Sequence, residues 1–171
     1  MDLRSLLADI PSGFGRDLLI EEVIKSETLF GELLELSLHE KDPLAWRACW
    51  VLDGSDERNP ELAQTYIPTI IKALPDLESR GTLRSLLRML CRHEIPEEQQ
   101  GLLIDLCFSY LVSELYPLAV KAHAMMIIYN HVLIYPELKD EFITVMEDQV
   151  ENNSVGFKTR ARNLIKQLEK L

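Results

Sequence analysis

Eight basic residues fall into two columns at steps of four, Arg80, Arg84, Arg88, Arg92 and Lys158, Arg162, Lys166, Lys170. Residues four apart are neighbours on a helix face, where like charges repel by a few tenths of a kcal/mol per pair. Each step of four drifts by about 40° around a helix of 3.6 residues per turn, so four members spread over about 120°. Such columns can collect an acidic peptide or a phosphate-bearing ligand, or they can make ladder contacts between neighbouring helices. The ladder account suits Arg47, Arg84, Lys121 and Lys158 and explains Arg88, Arg92, Arg162 and Lys166 less well.

The other chemically capable residues are less telling. Trp46 and Trp50 stand one turn apart and could stack on a base or anchor a peptide, since Trp is favoured at binding hot spots. Both fall at apolar positions of a repeating pattern, so they are expected in the core. His39, His93, His123 and His131 form neither HxxxH nor HExxH, and no metal site is expected. His93-Glu94 reads as a helix end, where a basic side chain needs no further role. Cys49, Cys91 and Cys107 contain no CxxC and read as small apolar residues. Met125 and Met126 are expected in the core. No nucleophile elbow, P-loop or GxGxxG is present, and neither cofactor nor catalytic residue is expected.

Helices must position these residues. Apolar residues recur at helical spacing almost throughout, and Pro43, Pro60, Pro96, Pro117 and Pro136 each precede such a period. The spacing predicts helices over 14–25, 26–39, 43–54, 60–74, 79–93, 96–114, 117–134, 136–151 and 155–170, with a short one over 3–8. Asp42 and Asn59 are expected N-caps. Pro68 should kink the 60–74 segment, and Asp53-Gly54 reads as a helix exit. The short connections make successive helices antiparallel neighbours.

With 171 residues, 47% of them apolar and 27% charged, the chain reads as one globular domain that needs neither disulfide nor metal to hold a core. Its longest apolar run, Ala124 to Tyr129, is far too short to span a bilayer. The opening MDLRSLLADIPSG is expected not to be a secretory signal. The odd cysteine count suggests a reducing, cytoplasmic setting. A net charge of −10 disfavours nucleic acid as a partner. That charge is unevenly shared. Residues 43–54, 78–94, 117–134 and 155–171 hold eleven bases and four acids, leaving +7, and the remaining 107 residues carry −17.

A 37-residue repeat organises the pattern. PLAWRACW from Pro43 matches PLAVKAHA from Pro117, twice 37 apart, and Arg47, Arg84, Lys121 and Lys158 are spaced evenly at 37. One residue before each stand Trp46, Leu83, Val120 and Phe157, and three after each Trp50, Leu87, Ala124 and Ala161. Thirteen before each come Leu34, Ile71, Phe108 and Val145. All twelve are apolar.

This pattern resembles HEAT repeats, in which a first helix pairs with a second that carries a basic residue near its start. Asp42, Ser79 and Asn153, five before the basic residue, look like the family's Asp position, which pairs with that base in a neighbouring repeat; Tyr116 breaks the pattern. The resemblance implies an all-α fold, a right-handed α-α superhelix of the HEAT/ARM-like solenoid type. It would hold about four helix pairs, over 26–59, 60–95, 96–135 and 136–171, behind an N-terminal cap over 1–25. DNA alkylation-repair glycosylases have a similar architecture, but the acid expected one turn after a Trp is absent: Gly54 follows Trp50, and Asp53 is the only acid near.

The expectation is therefore a non-enzymatic binding or scaffold module. It would engage a protein or acidic peptide through a basic concave face, with Arg47, Arg84, Arg88, Lys121, Lys158 and Arg162 as the contact set. A nucleic-acid binder or glycosylase relative, and a structural subunit of a larger assembly, are the alternatives.

Overall fold

In the computed structural model, which describes residues 2–10 and 13–171, the chain forms eleven α-helices and, among those residues, no strand. The expected cap over 1–25 includes Met1, Pro11 and Ser12, which lie outside the described residues. Among the described residues no helix is long and apolar enough to cross a membrane. The helices fall into two compact units, Met1–Ile95 and Pro96–Leu171.

The first unit holds α1 (Leu3–Ala8), α2 (Gly13–Val23), α3 (Glu27–His39), α4 (Leu44–Arg58), α5 (Pro60–Gln64), α6 (Ile67–Ala73) and α7 (Arg80–Leu90). Ser26 and Ser79 start α3 and α7 as side-chain caps, accepting from Leu29 N and Thr82 N at 3.3 and 3.1 Å. Each such cap contributes about 1 kcal/mol. Asp42 accepts from Trp46 N at 3.3 Å at the start of α4. Asn59 departs from its expected capping role, for its amide donates to Ile24 O at 3.1 Å.

α4 is the hub, packed against α1, α2, α3 and α7. Arg16 on α2 donates to Trp50 O, and Asn59, just past α4, meets Ile24, just past α2. Cys49 meets Thr82, and Asp53 meets Arg88. Position advances along each helix together, so α2, α4 and α7 lie side by side and parallel.

Two expectations are corrected here. α4 does not exit at Asp53-Gly54 but runs on to Arg58, with Gly54 buried inside it. A Cβ on Gly54 would stand 2.3 Å from Arg16 Nη2 and 2.5 Å from Ile20 Cδ1, so this glycine serves the close approach of α2. The 60–74 segment is broken, not kinked. α5 ends at Gln64, α6 starts at Ile67, and a 3-10 turn over Leu74–Asp76 follows. Pro68 lacks an N–H, and its ring would clash with the carbonyl four residues back, which belongs to Gln64.

The second unit holds α8 (Glu97–Val112), α9 (Leu118–Val132), α10 (Lys139–Val150) and α11 (Val155–Leu168). The predicted 136–151 helix begins as a 3-10 turn over Pro136–Leu138. Leu103, Cys107 and Leu111 on α8 are buried, as are Met125 and Ile128 on α9 and Phe157 and Ala161 on α11. Phe142 on α10 is buried and meets Phe108 edge-on at 6.3 Å. α8 pairs with α9 and α10 with α11, and the N-terminal ends of α9 and α11 meet where Leu118 lies against Gly156.

Candidate ligand surface

The six expected contact residues divide equally between the two units. In the first, Arg47 Nη1 donates to the carbonyls of Leu7 and Ala8 at 3.2 and 2.8 Å. It thereby satisfies carbonyls that the end of α1 leaves without helical partners. Arg84 is exposed and, among the described residues, takes part in no hydrogen bond or ion pair.

Arg88 is held by intramolecular acids. Its Nη1 donates to Asp53 at 2.5 Å and its Nη2 to Glu57. Arg92, in the turn after α7, reaches Asp53 at 2.7 Å and also donates to Asp56. Burial works against the Arg92 charge, but the hydrogen bonds it donates to Asp53 and Asp56 outweigh it and hold the guanidinium above its ordinary pKa. Asp53 and Asp56 are both buried, so the arginines compensate charge that would be costly to bury alone. Asp56 also lies 2.5 Å from His93 Nε2, whose Nδ1 faces Gln64 Oε1 at 2.9 Å. Exposed ion pairs link α2 to α4, where Arg58 pairs with Glu21 and, at 3.5 Å, with Asp17.

In the second unit, Lys121 is 4% exposed, which corrects its expected place in the contact set. It donates to Asn153 Oδ1 at 3.2 Å and stands 5.8 Å from the Phe157 ring. Burial lowers its pKa, with the Glu114 charge opposing. Its bond to Asn153 joins a base to a residue five before the next base, as the repeat pattern implied. Lys158 is half-buried, and Arg162 is exposed. Arg162 shares a shallow groove of about 340 Å³ between α10 and α11 with Lys166, Glu147 and Glu169.

The sequence misplaced Trp46. It is 39% exposed, whereas Leu83, Val120 and Phe157 at the same repeat position are buried. α4 turns the small residues Ala45, Ala48 and Cys49 inward instead. They let α4 sit close to its neighbours and leave the indole at the surface. Gly81 on α7 makes room beside it, for a Cβ there would lie 3.3 Å from Trp46 Cβ. Trp50 is half-buried; its ring centroid is 6.1 Å from that of Trp46, and Arg16 covers it at 4.8 Å. The tilted ring pair and the Arg16 guanidinium hold the indoles in place, and the guanidinium adds cation–π attraction.

Between α4 and α7 runs one continuous surface. Trp46, Trp50, Asp53 and Glu57 share a face of α4 at steps of three and four; Gly81, Arg84 and Arg88 share the facing side of α7. Its aromatic end carries Arg84, whose side chain has no acid partner among the described residues, and its other end carries the Asp53–Glu57–Arg88–Arg92 lattice. At the loop end of the same unit, a groove of about 900 Å³ is mainly acidic, with Glu35, Glu40, Asp42, Asp76 and Glu78 against Lys41 and Lys72.

Sequence reasoning missed Asp56, Glu57 and the role of His93, because it ended α4 too early. A signal was present. Acids at 53, 56 and 57 face bases at 88, 92 and 93, and Glu21 faces Arg58, at separations close to the 37-residue period.

Over residues 15–168 the chain matches the HEAT repeat domain family. The chain is a HEAT repeat protein. No curated protein and no solved structure matches it. HEAT repeats generally mediate protein–protein interactions or scaffolding, and their function resides in the residues displayed, since fold alone does not set it. In this HEAT repeat protein the basic column of α7 is less available than its sequence suggests: three acids at the end of α4 answer Arg88 and Arg92.

Proposed function

We propose that this HEAT repeat protein is a non-enzymatic binding module that engages a protein partner through the α4–α7 face of its first unit. The observation that carries the reading is the exposed Trp46, tilted at 42° against Trp50 and sharing the α4–α7 face with Arg84, a cation with no acid partner among the described residues. A large aromatic held in place and flanked by Arg is the composition favoured at interface hot spots. Arg84 adds electrostatic selection for an anionic partner group.

The test is affinity capture with wild type and with the Trp46→Ala, Arg84→Glu double variant, quantifying protein and nucleic acid in both eluates. Both positions are at the surface, so the variant should keep its helical circular dichroism and unfold within about 1 kcal/mol of wild type. The reading expects a protein recovered by wild type and lost from the variant. Identical recovery by both baits contradicts it, and nucleic acid enriched by wild type alone replaces the protein partner with a nucleic acid.

A further inference from the structure

We propose that the surface between α4 and α7 docks an extended acidic peptide segment, and that Glu57 holds in the free protein the place a partner carboxylate takes. The inference rests on the reading above and names its partner chemistry. Arg88 has two acids of unlike standing. Asp53 is buried and grips Nη1 from below, while Glu57 is 42% exposed and meets Nη2 from the solvent side; Arg88 itself is 46% exposed. A buried carboxylate cannot leave without stranding its charge, whereas exposed ion pairs are weak and exchange readily. Glu57 therefore acts as a displaceable latch. A partner carboxylate that replaces it gains the Arg88 Nη2 contact that Glu57 gives up, and Glu57 falls back on its longer contact with Arg92 Nη1, 3.9 Å in the free protein.

The neighbouring groups set the spacing. From Trp46 to Glu57 is eleven helical residues, about 16 Å, which an extended chain covers in about five residues. Arg84 lies between. The fitting segment thus has an apolar side chain over Trp46, a carboxylate about two residues on for Arg84, and another at about five for Arg88. A peptide meets these demands with carboxylates only where cations wait. A polynucleotide carries a charge at every residue, and its backbone would be driven past Asp53 and Glu57, on a protein of net charge −10.

The test uses fluorescence anisotropy of a labelled nonapeptide holding one phenylalanine, glutamates two and five residues after it, and Gly/Ser elsewhere. It is titrated with wild type, Glu57→Gln and Glu57→Gln, Arg88→Gln. Removing the latch should tighten binding about fivefold, the added Arg88 change should abolish that gain, and a peptide with glutamines for its glutamates should show no gain. Equal or weaker binding by Glu57→Gln, with binding still lost in the Trp46→Ala, Arg84→Glu variant, overturns the latch and leaves the binding face standing. No binding of the nonapeptide to any of the proteins overturns the inference, and the capture experiment then decides the reading alone. Tighter binding of a twelve-residue oligothymidylate than of the nonapeptide overturns the peptide as occupant.

Discussion

Arg92 joins Asp53 and Asp56 through one guanidinium, 27% exposed, at the point where α4 and α7 end side by side. Truncation to alanine leaves Asp53 with Arg88 and Asp56 with His93, each short of one compensating charge. Breaking a buried pair by removing one partner costs several kcal/mol; with these remaining partners, Arg92→Ala is expected to cost about 3 kcal/mol in urea unfolding. Lysine at the same position should recover only part of that loss, because an ammonium cannot bridge two carboxylates as a planar fork does. Loss of less than about 1 kcal/mol in Arg92→Ala would show that the acids do not depend on it. At this scale the sequence was read in part. The bases of α7 are plain as an i, i+4 column, but a column states only which residues share a face. Whether each meets an acid depends on the neighbouring helix, and Asp56 and Glu57 lay beyond where α4 was expected to stop.

At the scale of the element, Gly54 decides how α4 is used. In isolation Gly→Ala in a helix interior favours the helix by about 1 kcal/mol. Here the new methyl would meet the side-chain ends of Arg16 and Ile20 at 2.3 and 2.5 Å, and both would have to leave their places against α4, Arg16 with its bond to Trp50 O. Overpacking outweighs propensity, so Gly54→Ala is expected to lower stability by about 2 kcal/mol and to raise the near-surface mobility of α2 in hydrogen exchange. A stabilised Gly54→Ala would contradict the close approach. Existence and type of the helices were legible from apolar spacing and from prolines at their starts. Their ends were less so, for physical reasons. Asp-Gly is a common exit locally, and only packing against α2 reveals that this glycine is interior. Pro68 signalled a disturbance, and its clash with the Gln64 carbonyl turned a kink into two helices.

For the whole molecule, the 37-residue period was readable and leads to the HEAT repeat family over residues 15–168. The binding face was not readable to the same degree. Trp46 stands at a repeat position whose other members, Leu83, Val120 and Phe157, are buried, so the regularity that revealed the fold also placed this residue wrongly. Lys121 shows the reverse, a cation in register with Arg84 but taken into the packing by Asn153 and Phe157. Departure from a repeat, not adherence to it, marks the surface that the proposed partner would use. The protein has two tryptophans, and both lie on this face, so intrinsic emission reports its occupation directly. The most direct measurement is the tryptophan emission of Trp50→Phe, in which Trp46 is the one tryptophan, titrated with the acidic nonapeptide. A saturable blue shift is expected as the indole is covered, abolished in the Trp50→Phe, Arg84→Glu variant. Unchanged emission while anisotropy shows the same peptide bound would place the partner elsewhere and contradict the account.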